Sequence, residues 1–174
     1  MRLLTIGGNE YKVEFSFEAA EYKDCVDKVF KVVSGVYIMK RGITGKEDKS
    51  EMATAMMDGT ADMFSDMASL SITCLYAGLL ENNPVEDEKA ARALFKQFVK
   101  ENPDDERATF PGMYEFLKKC MEEDGFFKLT GLDKYLKDMS EAMEKAIKEA
   151  EKEKEQSTLP KVPTDRKRKS TSTK

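Results

Sequence analysis

Over most of residues 16–150 the apolar residues of this chain recur at steps of three and four, while the run before residue 16 alternates at a step of two. The first period buries a stripe of a helix and the second buries one face of a strand, so a mainly α fold with a small N-terminal β-element is expected. The alternating piece lies in residues 2–6 and 10–15, which flank Gly7-Gly8-Asn9. Tyr11, Val13 and Phe15 share one face there, and Lys12 and Glu14 the other. The pattern predicts a β-hairpin with a glycine-rich turn.

About five helices are predicted. The first spans residues 17–33, with Ser16 as N-cap, Tyr22, Val26, Val29, Phe30 and Val33 on its stripe, and Ser34-Gly35 as the stop. Residues 35–59 read as a loop with one helical turn near 50–57, because Gly42, Gly45 and a cluster of charges interrupt the pattern. The period returns at Asp62 with Met63, Met67, Leu70, Cys74, Leu75 and Leu79. Asn83-Pro84-Val85-Glu86 has the order of a cap, a first-turn proline and an N3 acid, and so predicts a helix from Pro84 to Asn102. A fourth is expected from about Pro111 to Asp124, and a fifth from Leu132 carrying Leu136, Met139, Met143, Ile147 and Ala150. The compact domain is placed at 1–156. Residues 157–174, rich in Ser, Thr and Lys/Arg, bury too little apolar area to offset chain entropy and are expected to form a disordered basic tail.

Charge sharpens that division. Residues 160–174 hold six Lys/Arg and one Asp, which leaves 23 Lys/Arg against 32 Asp/Glu, a net charge of −9, on residues 1–159. An acidic body disfavours nucleic acid as a partner, since duplex affinity comes from cations that neutralise phosphates. No run of eighteen apolar residues occurs and no secretory signal is visible, so neither a membrane partner nor export is expected.

The chain has no histidine, which removes imidazole general bases, Ser-His-Asp triads and His-ligated zinc. Cys25, Cys74 and Cys120 are widely spaced and odd in number, as expected of buried reduced thiols and not of a disulfide framework or metal site. Gly42-Ile43-Thr44-Gly45-Lys46 lacks the spacing and the following Ser/Thr of a phosphate loop. Asp58-Gly59-Thr60-Ala61-Asp62 lacks the ligands of a calcium loop and reads as loop and cap acids. The acids Asp104-Asp105-Glu106 and Glu122-Glu123-Asp124 read as solvated connections. No catalytic residue, cofactor or metal ligand is assigned, and the chain is not expected to be an enzyme.

Methionine is the feature that deviates. Of eleven, Met52, Met56, Met57, Met63 and Met67 fall within sixteen residues. Flexible thioether side chains repack against different shapes, so these five are the candidate partner-binding residues, with core filling the competing account for Met63 and Met67.

Three stretches, LLTIGGNEYKVEFSFEAAEYKDCVDKVF, SITCLYAGLLENN and EDGFFKLTGLDKYL, together resemble tail assembly chaperones of long-tailed phages and prophages of Gram-positive bacteria. The resemblance covers about residues 3–137, and the Lys/Ser/Thr-rich end beyond it also looks like members of that family. It implies a non-enzymatic protein of the host bacterial cytoplasm that binds the tape measure protein, keeps it soluble and assists polymerisation of the tail tube protein. It further implies that tube protein is reached through a longer, frameshifted product. A homo-oligomer is compatible with this reading. The alternative from a different class is a helical adaptor or regulatory module that binds nucleic acid or an acidic partner through its basic tail.

Overall fold

The hairpin forms where alternation places it. In the computed structural model, which describes residues 2–35, 37, 49–142 and 145, β1 (Arg2–Ile6) pairs antiparallel with β2 (Asn9–Val13), Leu4 opposite Tyr11 and Arg2 opposite Val13. Asn9 belongs to the strand, opposite Ile6, and not to the turn. The turn is Gly7-Gly8 alone, with φ of 60° and 75°, the left-handed pair that lets a two-residue connection follow the twist of the strands. Leu4, Ile6, Val13 and Phe15 are buried.

The helix predicted over 17–33 is two helices, α1 (Phe17–Glu21) and α2 (Lys23–Val33). Tyr22 between them has extended backbone at φ −73°, ψ 94°. It is held by a hydroxyl that donates to Glu88 Oε1 at 2.9 Å and by an edge-on contact with Tyr76, ring centroids 5.2 Å apart. Ser16 stands at the N-cap without a capping bond and pairs its hydroxyl with Glu81 instead.

The largest departure from the sequence reading is α3, which runs from Lys49 to Leu79, 31 residues, straight through the segment 49–59 expected to be mostly loop. Hydroxyls along this stretch and just beyond it bond back to the preceding turn of the helix. Thr54 donates to Ser50 O at 3.0 Å, Thr60 to Met56 O at 2.8 Å and Ser65 to Ala61 O at 2.9 Å. Gly59 costs about 1 kcal/mol against alanine, while Glu51, Met52, Ala53, Ala55, Met56 and Met57 are good helix formers. The run 38–48, with Gly42 to Lys46, lies outside the described residues.

Helix α4 (Glu88–Glu101) starts later than predicted, because Asp87 is its cap and accepts from Ala90 N at 2.8 Å. Asn83, expected in that role, accepts from Lys12 N at 2.7 Å and ties the connection to β2. A short 3₁₀ turn (Glu106–Ala108) leads to α5 (Phe110–Asp124), capped by Thr109 and stopped by left-handed Gly125. The single turn α6 (Phe126–Leu129) follows. The chain divides into two units, Met1–Leu136 and Lys137–Lys174. Residues 132–136 are helical in the first and 137–142 in the second. Met143, Ile147, Ala150 and the tail 157–174 lie outside the described residues. A mainly helical chain with a two-stranded hairpin is thus what forms.

The first unit is built around the last three turns of α3, where residues 70–75 and 77–79 are all buried. A helix apolar on one stripe only cannot be covered on every side; here the alanine, glycine and hydroxyl residues between the large side chains permit it. Ser71 Oγ lies 2.8 Å from Met67 O and 2.7 Å from Phe110 O, which joins α3 to α5. Thr73 Oγ1 donates to Glu88 Oε1 at 2.7 Å and accepts from Lys28 Nζ at 2.6 Å, which joins α2, α3 and α4. On the remaining side the hairpin meets α3 backbone to backbone, Glu14 N donating to Gly78 O at 2.9 Å. All three cysteines are buried. Burial pushes the Cys74 thiol well up, and the Cys120 thiol up to about 11.

A Cβ at position 78 would stand 2.8 Å from Val13 Cγ1 and 3.2 Å from the Phe15 ring, so only glycine allows this approach. Gly78→Ala should therefore destabilise the fold by about 1–3 kcal/mol, the usual cost of overpacking, as measured by urea unfolding. An unchanged midpoint would show that the hairpin is not seated on α3.

Candidate functional site

The N-terminal half of α3 carries the candidate residues, and the geometry sorts them. Met52, Met56, Gly59, Met63, Met67, Leu70 and Cys74 follow one another at steps of four and three, so they occupy one stripe of the helix. Toward the C-terminal end that stripe is core: Cys74 and Leu70 are buried and Met67 is 6% exposed. Met63 is half-buried against the core. Gly59 is buried, and beyond it the same stripe emerges, with Met56 49% and Met52 40% exposed. Met57 lies to one side of the stripe at 74% exposure, seven residues from Phe64 at 57%.

Three of the five methionines singled out from sequence therefore stand at the surface, and Met67 belongs to the interior. Phe64 joins the exposed group and was missed. Its signal was present, since it falls off the Met63–Met67–Leu70 stripe and two turns from Met57. Single exposed apolar residues need no explanation, but four within thirteen residues of one helix half are the kind of grouping that marks an interaction surface.

The acidic clusters do structural work. Asp105 caps the 3₁₀ turn, accepting from Arg107 N at 2.8 Å, and accepts from the Arg107 guanidinium Nε and Nη2 at 2.9 Å and 2.6 Å. That guanidinium also stands over the rings of Phe98 and Phe116, at 5.4 Å and 5.5 Å from their centroids. The Arg107 hydrogen bonds pull the Asp105 carboxyl down to about 2 from an ordinary 3.8. Glu123 accepts from Arg2 Nε at 3.0 Å, and Asp124 accepts from Phe15 N at 2.9 Å. Asp58 and Asp62, read as loop and cap acids, lie within α3. Among the described residues no three of Cys, Asp and Glu are grouped to hold a metal ion, and no helix is long and apolar enough to cross a membrane. Compared with family models, curated proteins and solved structures, the chain matches none.

The sorting of the methionines has a chemical readout. Under dilute hydrogen peroxide, Met57, Met56 and Met52 should convert to sulfoxide well before Met67, Met113 and Met121, as followed by peptide mass mapping. Equal rates would place the first three inside. The ion pair predicts an acid response. With a folded carboxyl below its ordinary value, the stability Asp105 contributes is complete above about pH 4 and fades as pH falls toward about 2. The melting temperature of Asp105→Asn should accordingly lie below the parent's at pH 5 and converge with it near pH 2.

Proposed function

We propose that the chain is a tail assembly chaperone of the long-tailed phage and prophage type, a non-enzymatic host-cytoplasmic protein that covers a tape measure protein until tail tube subunits polymerise around it. The observation that carries this reading is the core stripe of α3 continuing onto exposed Met52 and Met56, with Met57 and Phe64 beside it. A long apolar helix needs a cover that follows many local shapes, and unbranched thioether side chains supply one. The energetics suit a temporary cover. Full burial of a Met or Phe side chain contributes roughly 1.5–3 kcal/mol, less here because each is already partly shielded, and association costs offset much of the sum. Contact with the tail tube protein through a longer, frameshifted product belongs to the same proposal.

Co-expression tests it. The tape measure protein should be soluble with the parent chain, and its soluble fraction should fall several-fold with Met52, Met56 and Met57 all replaced by Ser, while the melting temperature of the variant changes by no more than surface substitutions ordinarily cause. Equal solubility with and without the chain would remove the chaperone reading. Removal of residues 157–174 should leave solubilisation intact; its loss would favour the adaptor alternative, in which the basic tail binds the partner.

A further inference from the structure

A second apolar surface lies on the first unit, formed by other residues than the methionine patch. Helix α4 and the N-terminal turn of α5 enclose an open groove of about 680 Å³. Ile72 of α3 lies at it, with Phe95 and Val99 from α4 and Phe110 from α5. Phe95 and Phe110 contact each other at a centroid distance of 5.3 Å, and Phe110 is 40% exposed, so the aromatic wall is fixed yet accessible. Ala108 and Pro111 complete the apolar part of its lining.

The charged residues that line it have one sign. Arg92, Lys96 and Lys100 line the groove and no acid does. They follow one another at four-residue steps on α4, one per turn, over about 12 Å. All three are exposed, and none forms an ion pair among the described residues, although residues 1–159 carry a net charge of −9. The N-terminal residues of α5, Thr109 to Pro111, add the positive end of that helix to the same groove. Three cations in line beside an apolar cleft, none of them paired among the described residues, on a body otherwise acidic, constitute a complementary surface for an apolar strip edged with carboxylates.

We propose that this groove docks an amphipathic helix of a partner protein, one whose apolar stripe is flanked on one side by Asp or Glu at successive turns. The arrangement of the cations selects this occupant. A fatty acid or other single-headed anion needs donors gathered at one end of a cleft, whereas a row with one cation per turn matches carboxylates placed four apart on a helix. Apolar burial supplies most of the affinity, and the cations set orientation and choice of partner. The groove shares none of its lining residues with the methionine patch, so the proposal stands independently of the chaperone reading.

The test uses the full chain and two labelled helical peptides of about 16 residues with the same leucine stripe, one flanked by Glu at every fourth position and the other by Lys. Fluorescence anisotropy should show the Glu peptide binding at least tenfold more tightly than the Lys peptide, with the difference shrinking as salt rises. Lys96→Glu combined with Lys100→Glu, both exposed and so without effect on melting, should reverse the preference. The preference for the Glu peptide over the Lys peptide should persist in the Met52, Met56 and Met57 to Ser variant. Equal affinity for the two peptides, no binding of either, displacement of the Glu peptide by decanoate at equimolar concentration, or loss of the preference in the methionine variant would each overturn the proposal.

Discussion

Everything in the first unit depends on one helix segment being covered on all sides. Residues 70–79 of α3 are flanked by the hairpin, by α2, by α4 and by α5, and each neighbour is anchored by a specific polar tie as well as by apolar contact. Such a segment cannot be stable by itself in water. Its apolar surface is the common debt that the four neighbours settle together, which is why a change as small as one methyl at Gly78 reaches the whole fold. Ser71 and Thr73 are buried at the centre of this arrangement, and both are hydrogen-bonded, as buried hydroxyls must be to avoid a desolvation penalty.

Elements whose structure follows from a short local signal were legible in the sequence. The hairpin could be read from alternation and two glycines, and α5 from its proline, its apolar spacing and its terminal Asp124-Gly125. What could not be read depends on partners distant in sequence. The break at Tyr22 is set by Glu88 and Tyr76, and the late start of α4 follows from Asn83 being engaged by the Lys12 amide. The first half of α3 was obscured for a different reason. Glycines and a cluster of charges weigh toward loop in a local reading, yet residues 51–57 are mostly good helix formers and the Thr54 and Thr60 hydroxyls bond back to the preceding turn. The candidate surface was legible by residue type, as a methionine cluster; which members are exposed depends on where the body ends along α3.

The methionine patch and the α4–α5 groove differ in kind. The first is a continuation of a core stripe with no fixed walls, suited to clients of variable shape. The second is walled by aromatic rings and edged by a row of like charges, suited to one orientation and one partner chemistry.

The seating of the hairpin on α3 also has a consequence for biosynthesis. Residues 2–15 leave the ribosome ahead of α3, but the backbone that Glu14 binds and the surface that Val13 and Phe15 fill lie at Gly78, sixty-four positions after Glu14. A two-stranded hairpin is at best marginally stable alone. At a synthesis rate of roughly 5–20 residues per second, its apolar face therefore waits for several seconds, open to the cell, before the helix that shelters it exists.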